Sequence, residues 1–260
     1  MWKLFKKRFK IKLTKEIQLW IQDCFLWQIE SLHNFSIQNV TTQIPSQFQL
    51  DLESVQSVDE KVESVLLKLL RIVNIPRTKL TVKIFQSHIE SINTDFGEFP
   101  LEKDFDNYEV SNCEKVGNKF IIGINVNILD DTSSLTLVLL RELITAKISL
   151  LGLKDKPEGQ LIDVFSVGLG FGLFNINESF KYSQNDIGWK YSKIGNLSYD
   201  ELVYCMSLYS YLRNEINPKW LIYININYRQ KVSKTIQFLF DNEIAVLDQK
   251  LISIRTMYQT

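Results

Sequence analysis

Residues 120–148 read FIIGINVNILDDTSSLTLVLLRELITAKI. The opening of this stretch alternates. Phe120, Ile122, Ile124 and Val126 fall on one face of an extended chain, which predicts a strand over Phe120–Ile128. The cluster Asp130-Asp131-Thr132-Ser133 stops that strand and supplies capping side chains. An apolar helix follows over Ser134–Leu151, with Gly152 as its C-terminal stop. Glu142 lies in the middle of that helix.

Upstream, Thr14–Leu32 reads as a helix. Thr14 is its N-cap, and Ile17, Trp20, Ile21, Cys24, Phe25, Trp27 and Ile29 form a broad apolar face. The stretch 34–52 reads as irregular, with Pro45 as a breaker. Ser57 caps a second helix to Asn74, with Glu60 at the capping-box position. Leu80, Val82 and Ile84 alternate as a strand over Lys79–Phe85. The stretch 95–119 is polar and turn-rich.

Downstream, Ile162–Phe174 is strongly apolar and is interrupted by Gly168, Gly170 and Gly172. No Lys-Ser/Thr follows these glycines, so close helix packing explains them better than a phosphate loop. Helices are expected over Tyr199–Arg213, capped by Ser198 with Glu201, and over Lys231–Phe240. Helices outnumber strands, and the strands precede the central helix. The fold class is α+β, mainly helical, with a small β-sheet packed on that helix. No repeat or low-complexity linker appears, so one domain over 1–260 is expected, with a basic, aromatic N-terminal segment over 1–12.

The chain has 260 residues, 45% hydrophobic and 23% charged, with a formal net charge of zero. Nothing in that balance calls for a nucleic-acid partner. Cys24, Cys113 and Cys205 are too far apart for a CxxC site and odd in number, which reads as free thiols in a reducing compartment. The N-terminus (Trp2, Lys3, Phe5, Lys6, Lys7, Arg8, Phe9) lacks the apolar core of a signal peptide. The apolar runs read as too short to cross a bilayer. A cytoplasmic protein without stable membrane association is expected.

Three stretches in order, Phe120–Ile148, Glu158–Asn177 (EGQLIDVFSVGLGFGLFNIN) and Gly188–Glu215 (GWKYSKIGNLSYDELVYCMSLYSYLRNE), resemble a group of uncharacterised bacterial zincin-like proteins. In that group the central helix carries HELxH, and a "TDLL…GFG-F-aN" helix and a "GW…GYLs…yalalfayiR" helix follow. The stretch Trp20–Trp27 is similar to the group's opening helix. The resemblance implies an HExxH metallopeptidase fold, with the central helix as the former active-site helix.

The departure from that pattern decides the functional expectation. HExxH places two His one helical turn apart to bind zinc, with the Glu between them as general base. Here the five positions are Arg141, Glu142, Leu143, Ile144 and Thr145. Arg cannot ligate a metal, and Thr is a poor zinc ligand. The two histidines, His33 and His88, lie far upstream. Glu158 and Asp163 stand where the resemblance places the family's acidic positions, and Asn196 stands where relatives commonly carry Tyr. An all-oxygen site of Glu142, Glu158 and Asp163 would suit only a hard cation. One expectation is that Arg141 replaces the metal's charge by pairing with Asp163 or Glu158. The other is that Arg141 faces solvent and Glu142 pairs locally.

The expectation is therefore a catalytically inactive zincin-like pseudoenzyme. Arg141, Glu142, Thr145, Glu158 and Asp163 are vestigial, with no metal and no cofactor. Its role would be that of a regulatory or immunity-type module for a protein or peptide partner. The alternative is a metal-dependent hydrolase with a rearranged site and Glu142 as general base.

Overall fold

The computed structural model describes residues 9–32, 35–50, 57–86, 91–94, 97–100, 110–153, 157–178, 181–185, 188–192 and 194–257. His33, His88, Trp2 and Phe5 lie outside them. Contacts gather into two compact units. One is Met1–Leu50 with Pro157–Thr260; the other is Asp51–Lys156. In chain order the elements are α1 (Lys15–Ser31), α2 (Pro45–Leu50), α3 (Val58–Val73), β1 (Leu80–Phe85), β2 (Ser91–Thr94), β3 (Gly97–Pro100), β4 (Ser111–Val116), β5 (Lys119–Asn125), α4 (Thr132–Leu150), α5 (Gly159–Ser166), α6 (Gly172–Glu178), β6 (Lys181–Asn185), β7 (Gly188–Ser192), α7 (Tyr199–Leu212), α8 (Ile226–Asp241), α9 (Glu243–Val246) and α10 (Gln249–Met257). The protein is α+β, with helices predominating.

In the unit Asp51–Lys156, α3 and α4 pack together. Ser57 Oγ accepts the Glu60 N–H at the start of α3, and Asn74 ends the helix in the left-handed region. The sheet order is β1-β5-β4, with β5 parallel to β1 and antiparallel to β4. Paired residues share a face, so Phe120, Ile122 and Ile124 of β5 lie in rows with Lys115, Cys113 and Ser111 of β4. Those three β5 residues are buried, and α4 packs beside both strands.

Helix α4 begins where Asp131 Oδ1 accepts the Ser133 N–H. It ends in two reverse hydrogen bonds, Gly152 N–H to Ser149 O at 3.0 Å and Leu153 N–H to Ile148 O at 3.3 Å. Gly152 has φ +70, which this helix stop requires.

Several local expectations needed correction. The stretch 95–119 contains β3 and β4. The side chains of β4 are mostly polar, so its own β-propensity is weak, and pairing with apolar β5 makes it a strand. Residues Val126–Ile128 form a 3₁₀ turn, because Asn125 Oδ1 takes the Asn127 N–H and ends β5. Pro45 starts α2, as its fixed φ and missing donor suit the first helical turn. Helix α8 begins earlier than expected, where Asn225 Oδ1 accepts the Asn227 N–H, and α9 and α10 follow it.

The other unit is built on α7, buried throughout Glu201–Leu212. A complete capping box starts it, with Ser198 and Glu201 each accepting the other's N–H. Helices α1, α6, α8 and α10 pack against it. Tyr204, Tyr209 and Tyr211 are all buried. Gln22 of α1 donates to Tyr204 Oη (2.9 Å) and Val246 O (3.1 Å), and accepts the Asp248 N–H at 2.8 Å. One polar side chain thus joins α1, α7 and the C-terminal segment.

Helices α5 and α6 are joined by a widened π-type turn, Val167–Phe171, in which Gly170 has φ +91 and ψ 5. The Gly170 carbonyl leaves the helix and accepts the Gln43 N–H at 2.9 Å. A Cβ on Gly170 would stand 2.4 Å from Thr41 O; at Gly168 and Gly172 it would strike Gln28 and Met206. The glycines therefore serve close packing, as their context suggested. Asn175 is buried inside α6, where its amide reaches Ser166 Oγ (2.7 Å) and Phe171 O (3.1 Å). The stretch Gly159–Glu178 is long and apolar enough to cross a membrane, more than the expected short runs allowed, and 83% of its most apolar window is buried in the protein.

Candidate functional site

Arg141, Glu142 and Thr145 belong to α4, in the unit Asp51–Lys156. Asp163 belongs to α5 and Glu158 is its N-cap, in the other unit.

On α4, the positions one helical turn apart are half-buried Arg141 and half-buried Thr145. Thr145 Oγ1 donates to the Arg141 carbonyl at 3.1 Å, so its hydroxyl is turned back onto its own helix. Arg141 Nη1 is enclosed. Burial pushes the guanidinium pKa down to about 10, against the pull of neighbouring Glu142. Glu142 Oε1 accepts the hydroxyl of Ser111 on β4 at 2.5 Å. Cys113, two residues along the same face of β4, is pushed up to about 12, first by burial and then by the Glu142 charge. A thiol held protonated in this way is a poor nucleophile.

The cluster that the fold assembles on this helix is therefore Glu142, Ser111 and Cys113, with Arg141 adjoining. Ser111 escaped sequence reading, and Cys113 was read only as a free thiol, because β4 lies in a stretch read as turn. The signal present was the alternation Ser111-Asn112-Cys113-Glu114 just before the β5 strand. A Ser-to-Glu hydrogen bond positions a carboxylate, but neither Arg141 nor Thr145 brings a metal-ligating atom beside it.

On α5, Glu158 is the exposed N-cap residue and makes no capping hydrogen bond with its side chain. Asp163 is 1% exposed, and its Oδ2 accepts the N–H groups of Asn196 (2.5 Å) and Leu197 (3.0 Å). The carboxylate thus holds the turn through Gly195, which has φ +108, immediately before the capping box of α7. The side chain of Asn196 lies over Gly159, where an added Cβ would come within 2.1 Å of its Oδ1. Asp163 and Asn196 together fasten the start of α5 to the start of α7.

Cys24 and Cys205 are free and buried in the core of the same unit. Burial pushes Cys24 up to about 12 and Cys205 well above the ordinary thiol range. Among the described residues, no three His, Cys, Asp or Glu side chains gather as a metal-holding group. No protein-family model, curated protein or solved structure matches the chain.

Proposed function

We propose that this chain is a zincin-like protein without catalysis, retained as a binding and regulatory module for a protein or an extended peptide. The observation that carries the reading is the state of the motif positions on α4. Thr145 spends its hydroxyl on the Arg141 carbonyl, and Glu142 receives the Ser111 hydroxyl. A general base poised over a metal-bound water needs two neighbouring ligands, and these positions carry none.

The binding face is the outer side of β4. Among the described strands β4 is an edge of its sheet. Asn125 donates to Val110 O, and the antiparallel alternation from that pair turns the main-chain groups of Ser111, Cys113 and Lys115 away from β5. An incoming strand pairs on that side by β-augmentation. The side chains of β4 set its preferences: Asn112 and Glu114 on one face, Ser111, Cys113 and Lys115 on the other.

Elemental analysis of the purified protein, after dialysis against a weak chelator and readdition of zinc, tests the absence of a metal. The expected result is far less than one metal per chain and an unchanged Tm on adding zinc. About one retained metal per chain, lost in Glu142→Gln, would sink the reading and make Glu142 part of a working centre.

A further inference from the structure

The chain is neutral overall, yet its basic residues are unevenly placed. The first fifteen residues carry seven Lys or Arg and no acid, and residues 213–240 carry five against Glu215 alone, so these two stretches hold twelve of the chain's 30 basic residues. The fold brings their described parts together. Phe9 meets Phe238 of α8 edge-on, with ring centroids 5.8 Å apart. From there residues 9–12 run beside Val203, Tyr204 and Thr235, and Lys12 comes close enough to Lys231 to help lower its pKa, after burial. Two acids beside this strip are already engaged. Asp200 bonds Lys231, and Glu215 takes Arg213 at 2.8 Å and the Trp220 indole N–H at 2.9 Å.

At the N-terminal end of α8 the strip meets an apolar projection. In the loop from α7 to α8, Trp220 and Ile224 are buried, whereas Ile222 is 64% exposed, Ile216 42% and Tyr223 39%; Ile226, the first residue of α8, is 76% exposed. The loop is held in shape from beneath. Arg229 donates to Ile222 O (2.6 Å) and Ile224 O (3.1 Å), and Asn177 clamps Tyr223 O and the Asn225 N–H. A fixed loop that turns isoleucines outward, beside exposed Lys219 and Lys234, keeps apolar surface in water that its own packing does not use.

We infer that the α7–α8 loop and the basic strip along α8 form a docking face for an anionic lipid surface. Ile222 and Ile226 enter the headgroup region, and Lys10, Lys12, Lys219 and Lys234 meet the lipid charges. Nucleic acid would use the same cations but gives the protruding isoleucines no apolar phase to enter. Binding of this kind is reversible and sensitive to salt.

Co-sedimentation of the full chain with phosphatidylcholine vesicles, with and without about 30% phosphatidylserine, tests this on the charge attraction described for such surfaces. Pelleting is expected only with the anionic vesicles, and it should fall as salt rises. Lys219→Gln with Lys234→Gln should weaken binding by about fivefold per residue. Ile222→Ser with Ile226→Ser should weaken it by about tenfold or more. All four positions are exposed, and unchanged circular dichroism of each variant verifies the fold. No pelleting of the parent protein at low salt, equal pelleting with neutral vesicles, or an undiminished affinity of the folded isoleucine variant would each overturn the inference. So would retention of an RNA duplex by a protein that ignores the vesicles.

Discussion

Asp163 shows how an acidic residue that invites a functional reading can be absorbed by the backbone. Its Oδ2 takes two main-chain N–H groups from the turn that launches α7, and the side chain is buried. Removing such an acceptor strands two donors out of water. Asp163→Ala is therefore expected to cost about 3 kcal/mol in urea denaturation, with Asp163→Asn losing less because it keeps one oxygen. A loss below about 1 kcal/mol in the alanine variant would show that the turn holds without the carboxylate. The family resemblance singled out Asp163, but not its partners, which are main-chain groups 33 and 34 residues away. The same holds for Glu142. Its place on α4 was readable from helical spacing, whereas its contact with Ser111 depends on a strand register that only the folded sheet defines.

Elements with strong local signals were legible, and those made by their neighbours were not. Helices α3, α4 and α7 each carry a capping side chain, and each falls within two residues of the expected bounds. Strand β4 and the widened turn at Gly170 lacked such signals; one is created by β5, the other by the close approach of Thr41. Helix α10 also depends on its surroundings. Arg255 stacks on Tyr211 and Phe240, at 4.6 and 5.4 Å, and pairs with Glu243 at 2.8 Å, while Tyr211 donates to the same carboxylate. The helix has only nine residues, too few to be stable alone. Arg255→Ala is expected to raise amide exchange across Gln249–Met257 by tenfold or more, about the effect of losing 1.4 kcal/mol, and to leave exchange in α3 and α4 unchanged. Equal exchange in both proteins would mean that contacts with α1 and α7 suffice to hold α10.

Across the whole molecule, the buried thiols and phenols give stability a definite alkaline dependence. Cys24 and Cys113 are pushed to about 12, Cys205 is well above its ordinary value, and Tyr204 and Tyr209 are raised, all chiefly by burial. Between about pH 9 and 12 the folded chain keeps these protons, whereas the unfolded chain has released them. The unfolded state then binds fewer protons, so stability falls as pH rises through that window. Arg141, Lys147 and Lys231, all lowered first by burial, act with the opposite sign, but the raised thiols and phenols, Tyr199 and Tyr211 included, outnumber them. Urea unfolding between pH 8 and 10.5 should show the decline, at about 1.4 kcal/mol per pH unit for each fully shielded thiol. A flat profile would mean that the core admits hydroxide or lets the thiols ionise in place. The division into two units has a consequence of another kind. Helix α1 and helix α7 meet through residues 182 apart, Gln22 and Tyr204, and the whole of Asp51–Lys156 lies between them in sequence. A chain emerging from the ribosome at about 5–20 residues per second holds α1 without α7 for roughly 10–40 s. In that interval the intervening unit already has all of its own contacts to make. The apolar face of α1 is then open to a chaperone or to a neighbouring nascent chain.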